Sequence, residues 1–448
     1  MLKTSRTLLS LVVVSSLALA ACSSASDSSG SPGGSGDQGG DGTGQTGTGS
    51  GAMTTVTGFG SNPGALTMYT YVPASVPANA PLVVALHGCT QSAADYVNAG
   101  WNDLADVEKA YVVYPEQSTS NNSQKCFNWF QSEDTTRDSG EALSIKQMVD
   151  WMKTKYSIDD TKVYVTGLSA GGAMTAVMLA TYPDVFAAGA VMSGIPYDCA
   201  TSTVDAYTCM GGTKSESPSD WAALAKKGDP SFAGTYPRLS VWHGQSDTTV
   251  NEANAANLVS QWTALVGISQ TPDVTETVDG ATHTVFKDGS GRPTVERYSI
   301  PGMSHGTALD PSHGCGAAQA YMLDEGICST SLAWAFFTGA TAPTLTHSGS
   351  SSSGGSSSGS SFDAGSFAWP GFDAGAWSGF TWPSTTATCQ TYTDTNVDHV
   401  MFGRAHLCGA TFTDACANGS NTDLGAYGTT TTTIHSTTFG SYDLGACK

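Results

Sequence analysis

The chain is poor in charge and poorest in positive charge: of 448 residues only 18 are Lys or Arg, against 38 Asp or Glu, for a formal net charge of −20. No cluster of Lys and Arg occurs beyond the first few residues, so the cationic footprint that draws proteins to phosphate backbones is missing. Nucleic acid is therefore excluded as a partner. Neither a CxxC pair nor an HExxH occurs, which removes the common zinc signatures, and no metal or cofactor is expected. Long apolar runs are also lacking. The most apolar stretch, Leu8–Ala20, follows Lys3 and Arg6 and gives way at once to small residues, the layout of an export signal rather than of a membrane span.

That signal closes on Leu19-Ala20-Ala21-Cys22, which resembles a bacterial lipobox. The resemblance implies processing to a lipidated Cys22 and a bacterial protein at the cell surface or outside the cell, anchored to a membrane without crossing it. An ordinary signal peptide with a stray cysteine is the alternative. Eleven cysteines point to an oxidising compartment; without Cys22, ten remain, enough for five bridges. Sequence does not determine the pairing, although the spacings suggest Cys199 with Cys209, Cys315 with Cys328, and a longer loop from Cys89 to Cys126.

Composition divides the chain. Residues 1–22 are the signal, and 23–52 are almost wholly Ser, Gly, Asp and Thr, a tether too polar to fold. From 53 to 340, short apolar runs such as PLVVALHG, AYVVYPE, KVYVTGL and LSVWHG alternate with helix-like segments such as EALSIKQMVDWMKTKY. That alternation predicts an α/β domain with a mostly parallel central sheet flanked by helices. Residues 341–388 form a second Ser/Gly tract in which Phe-Asp-Ala-Gly recurs at Phe362 and Phe372, with Trp369, Trp377 and Trp382 nearby. Those aromatics either meet a hydrophobic partner or fold back on the catalytic domain. Residues 389–448 then read as a small C-terminal module stapled by disulfides.

Gly167-Leu168-Ser169-Ala170-Gly171 matches G-x-S-x-G between an expected strand and an expected helix, the context of a nucleophile elbow. An elbow serine needs a base and an orienting acid, which in α/β-hydrolases follow it in the order acid, then histidine. RLSVWHGQSDTTV ends a strand in a loop bearing Asp247, the candidate acid; helix capping is the competing use for an Asp there. VERYSIPGMSHGTA ends another strand in a loop bearing His305, the candidate base, whereas His283 precedes that strand and His313 follows the Gly-rich loop. The backbone N–H groups of Ala170 and Cys89 are the candidate oxyanion donors. His87, in an HG turn, is read as shaping the loop.

Together LHGCTQSAADYV, CFNWF, GLSAGG, HGQSDTTV and PGMSHG resemble the extracellular poly(3-hydroxybutyrate) depolymerase family of esterases, itself related to feruloyl and acetylxylan esterases. The resemblance covers roughly residues 53–340. It implies an α/β-hydrolase fold, the Ser169–His305–Asp247 triad, a bridge from Cys89 towards Cys126, and a place for Trp129 at the substrate cleft. The C-terminal stretch is similar to modules that accompany such depolymerases, apart from its extra cysteines and its Thr429–Thr433 run. The expected partner is an insoluble polyester or polysaccharide, met by a monomer. A carbohydrate esterase is the alternative activity, and a surface adhesin with an inert hydrolase domain the alternative of another class.

Overall fold

A computed structural model of the protein describes residues 49–345 and, beyond them, segments at 390–395, 405–408, 414–417, 423–426, 431–438 and 441–444. Cys22, most of the tether, the Phe-Asp-Ala-Gly repeats and the side chains of the four C-terminal cysteines lie outside the described residues.

Ten strands build the main sheet: β1 (Met53–Val56), β2 (Thr67–Tyr71), β3 (Ala80–Leu86), β4 (Tyr111–Glu116), β5 (Ile158–Leu168), β6 (Ala188–Met192), β7 (Arg238–Gly244), β8 (Val274–Val278), β9 (Ala281–Lys287) and β10 (Pro293–Ile300). Their spatial order is β1-β2-β4-β3-β5-β6-β7-β10-β9-β8. The run from β4 to β10 is parallel throughout. Antiparallel pairs finish both edges. Central strands are buried on both faces, which is why they read as unbroken apolar runs rather than alternating ones.

The helices are α1 (Ala93–Tyr96), α2 (Trp101–Glu108), α3 (Ser132–Thr135), α4 (Gly140–Lys155), α5 (Ala170–Thr181), α6 (Thr203–Met210), α7 (Pro218–Lys226), α8 (Ala253–Val266) and α9 (Ser329–Thr338). Strand β3 shows how they divide. Leu82, Val84 and Leu86 pack into one core with Met148 of α4, Met174 of α5 and Trp262 of α8. Val83 and Ala85 point the other way, into a second core with Trp101 of α2 and Trp334 of α9. Alternate side chains thus carry one strand's burial to both layers, as the three-layer α/β-hydrolase architecture requires. Arg238, at the start of β7, locks α9 by donating from its guanidinium to the carbonyls of Phe336 and Phe337 (both 2.5 Å).

Among the described residues, disulfides join Cys89–Cys126, Cys199–Cys209 and Cys315–Cys328, the pairs that the spacing suggests. After β10, β11 (Thr307–Leu309) and β12 (Met322–Asp324) pair in parallel. The C-terminal strands are β13 (Gln390–Thr395), β14 (Ala405–Cys408), β15 (Asp414–Ala417), β16 (Asp423–Ala426), β17 (Thr431–Thr438) and β18 (Ser441–Leu444). They form two three-stranded antiparallel sheets, β13-β17-β18 and β14-β15-β16. Among the described residues no helix is long and apolar enough to cross a membrane.

Candidate active site

The corner between β5 and α5 is sharp. Ser169 sits at φ 57°, ψ −117°, a conformation that costs a non-glycine residue on the order of 1–3 kcal/mol and persists only when its surroundings impose it. They do so on both sides. Ser169 N–H donates to the Met192 carbonyl on β6 (2.9 Å), and the Ser169 carbonyl accepts from Ala173 N–H in the first turn of α5 (2.8 Å). Both flanking glycines are required by space. A Cβ on Gly167 would lie 2.3 Å from the Gly171 carbonyl oxygen, and one on Gly171 would lie 2.3 Å from that of Leu86. Strand and helix therefore touch backbone to backbone, with the hydroxyl pushed out above the sheet.

Two loops at neighbouring strand ends bring up the other candidates. His305 Nδ1 lies 2.7 Å from Asp247 Oδ2. Asp247 Oδ1 accepts from the N–H groups of Thr249 (2.9 Å) and Val250 (2.8 Å). One oxygen of Asp247 thus faces His305 and the other closes the Thr249–Val250 turn; it does not cap a helix, since α8 begins only at Ala253. With Asp247 occupying Nδ1, the Nε2 edge of the imidazole is the one left for the pocket. Burial pushes the Asp247 carboxyl upward, but the adjacent His305 and His243 rings outweigh it and hold the group well below the usual carboxylate range. The two loops run side by side: Gln245 N–H donates to Ile300 O and Ser246 N–H to Met303 O (both 2.9 Å). Gly244 stands tight against the second loop, where a Cβ would lie 2.2 Å from the Met303 carbonyl oxygen.

Ser169, Ala170, His305, Cys89 and Trp129 all line one open pocket of about 180 Å³, with Asp247 buried behind His305. The wall that carries Cys89 is heavily tied. His87 is fully buried, its Nδ1 2.7 Å from the Gly88 carbonyl, while its Nε2 accepts from Gln117 N–H (3.1 Å). That pattern requires a neutral ring protonated at Nδ1, and burial drives its pKa down to about 4. Gly88 N–H donates to Gln91 Oε1 (2.9 Å), and Thr90 N–H to the Gln124 carbonyl (2.6 Å).

Behind the same wall lies Glu141, fully buried in the first turn of α4. It accepts from Gln117 Nε2 (2.5 Å), Asn121 Nδ2 (3.3 Å) and Asn128 N–H (2.8 Å). Gln117 also donates to the Cys126 carbonyl (3.2 Å). Burial and the neighbouring Asp134 push the Glu141 carboxyl up, yet its partners here are all donors, the pattern of an ionised acceptor.

The facing wall is α6, which contributes Thr203, Ala206, Tyr207 and Met210 to the pocket. Its C-terminal end is fastened: Asn254 Nδ2 donates to the carbonyls of Cys209 (2.8 Å) and Met210 (3.4 Å), and Asn251 N–H to that of Met210 (2.8 Å). Its N-terminal end carries Val204, which is 76% exposed.

The structure leaves two other histidines outside this pocket. His283 lies on β9 between Glu276 (3.1 Å) and Glu296 (3.0 Å), stacked on Tyr298, which stacks in turn on Trp242. His313 is exposed and paired with Asp310 (2.6 Å). Sequence reasoning missed His243, Glu141 and α6. For His243 a signal existed, since His-Gly ends β7 as it ends β3. Among the described residues no group of three or more His, Cys, Asp or Glu is placed to hold a metal ion.

The site invites comparison with known proteins. Residues 66–282 match the family model described as esterase PHB depolymerase. The chain is 55% identical over 289 residues to poly(3-hydroxyalkanoate) depolymerase C of Paucimonas lemoignei, covering 64% of this chain and 70% of that one. It is 37% identical over 270 residues to feruloyl esterase B of Talaromyces funiculosus, covering 58% and 75% respectively. Among solved structures it is similar to the acetyl xylan esterase from Aspergillus awamori, with TM-score 0.53 and 32% identity over 57% of this chain and 94% of that one.

Proposed function

Because this chain belongs to the esterase PHB depolymerase family, we propose that it is a serine esterase cleaving the ester bonds of an aliphatic polyester such as poly(3-hydroxybutyrate). Ser169 is the nucleophile. His305 takes the Ser169 proton on Nε2 as Oγ attacks the ester carbonyl, and Asp247 holds the ring in the tautomer that leaves Nε2 free to accept it. The N–H groups of Ala170 and Cys89 meet the oxygen that becomes negative, each contributing on the order of 3 kcal/mol to the barrier reduction. His305 then returns the proton to the departing alcohol, and water, deprotonated by the same ring, releases the acyl group from Ser169. Trp129 lies along the cleft where the chain of the substrate runs.

The observation that carries this reading is the 2.7 Å contact of His305 with Asp247 beside a serine on a strained elbow in the same pocket. It also disfavours an inert hydrolase domain serving only as an adhesin, since nothing inert needs a buried, oriented acid there. The remaining parts belong to the same proposal. A signal at 1–22 exports the chain, Cys22 anchors it as a lipoprotein, and 23–52 is its tether. Residues 53–340 are the catalytic domain, 341–388 the linker, and 389–448 a module that keeps a monomeric enzyme on a solid substrate by raising its effective concentration.

The test is clearing of a poly(3-hydroxybutyrate) suspension by the mature protein, abolished in Ser169→Ala. Release of ferulate or acetate from xylan without clearing would replace polyester by polysaccharide as substrate, the second reading, favoured by the likeness to the acetyl xylan esterase fold. Equal behaviour of wild type and Ser169→Ala on every ester would remove both.

A further inference from the structure

His243 closes β7, is fully buried, and takes no part in the mechanism above. Its Nε2 lies 2.7 Å from the Val250 carbonyl oxygen and 3.4 Å from Asp247 Oδ2. Both neighbours are acceptors, so Nε2 carries the hydrogen and the short contact is its bond. Nδ1 is then a buried lone pair, and it has no hydrogen-bond partner. A buried ring with one idle nitrogen costs stability that an apolar side chain would not.

The bond that His243 does make has a direct consequence for the acid. Val250 is gripped twice, its carbonyl by His243 and its N–H by Asp247 Oδ1 (2.8 Å). Ring, residue 250 and carboxylate form a closed circuit anchored on a central strand. An aspartate's terminal torsion is broad, so partners must impose its orientation. Here Oδ1 is turned to the backbone, which leaves Oδ2 on His305 Nδ1.

We propose that His243 is a positioning residue for the esterase reaction, holding the Val250 carbonyl to the end of β7 so that Asp247 keeps Oδ2 on the His305 ring. This rests on the reading of Ser169, His305 and Asp247 as the reacting triad. It is tested by kcat and KM on a soluble short-chain aryl ester, at a temperature well below each variant's Tm. His243→Met removes the donor at similar volume, and kcat should fall about tenfold or more with KM changed less than about twofold. His243→Gln carries an amide N–H₂ to the reach of Nε2 and should recover kcat to within about threefold of wild type, whereas the shorter His243→Asn should not. If His243→Met does not fold, the Gln and Asn variants decide the question between them. Wild-type kcat in His243→Met, or a Gln variant no faster than Asn, would overturn the proposal. Asp247→Asn, run alongside, separates the two claims. Its unchanged kcat would sink the triad itself, while its large loss beside a silent His243→Met would sink only the role of His243.

Discussion

The two walls of the pocket are held on opposite terms. The wall of Gly88–Gln91 and Cys126–Phe130 is over-determined: a disulfide joins its halves, a buried glutamate gathers donors behind it, and a neutral histidine grips its turn. The wall made by α6 also has a disulfide, Cys199–Cys209, but its ties gather at the Cys209–Met210 end, and its other end carries an exposed valine. In the proposed reaction negative charge develops against the first wall, where a small displacement of a donor is costly. In the same reading an apolar stretch of substrate lies along the second, where contact is non-directional and some slack is tolerated. Rigidity is concentrated where the chemistry is directional.

Substitutions can break or sharpen that contrast. The largest effect belongs to Glu141→Leu, which strands the Asn128 N–H and the Gln117 amide in the interior; stability should fall by about 4 kcal/mol, read as a large drop in Tm by calorimetry. A loss under about 1 kcal/mol would show that the carboxylate does not hold the wall. Next is the response to acid. His87 has a folded pKa of about 4 against 6.5 unfolded, so its contribution is complete above pH 6.5 and is lost as pH falls towards 4. The difference in unfolding free energy between wild type and His87→Asn should therefore shrink by roughly 3 kcal/mol over that window, and taking the difference cancels the carboxyl groups common to both.

On the fastened end of α6, Asn254→Ala should cost about 1–2 kcal/mol and raise KM for a soluble ester a few-fold with less change in kcat. A selective loss of kcat would mean that α6 serves the reacting groups instead. Val204→Asp should be the quietest, changing stability by no more than about 0.5 kcal/mol in a denaturant melt. A larger loss would show the free end of α6 to be packed after all.

Much of this architecture is legible in the sequence, for reasons that also mark the limit. Strands β3 to β7 announce themselves because burial on both faces removes polar residues from them, whereas β8, VTETV, is a short exposed edge strand with no apolar run, marked only by its β-branched residues and the Asp279-Gly280 turn that follows. Ser169, Asp247 and His305 stand out because each follows an apolar run and a glycine, the signature of a strand ending beneath a loop. The His-Gly strand end marks the place of His243 but not its partner, because Val250 folds back across SDTTV, a turn without the glycine or proline that would betray it. Glu141 reads as an ordinary acid in the first turn of a helix, where the macrodipole already favours one. Its burial comes from residues 117–128 folding over it, which no local pattern records. Helix α6 is two turns long, too short for apolar spacing to rise above chance.

Gly244 carries a consequence beyond the packing it permits. The acid-bearing loop presses on the histidine-bearing loop at a residue with nothing but hydrogen on its α-carbon. Alanine, the mildest replacement, would wedge them apart between the turn that bears Asp247 and the residue preceding His305. Position 244 therefore admits no side chain, and a designer wishing to widen this enzyme's repertoire should leave that hinge of absence alone.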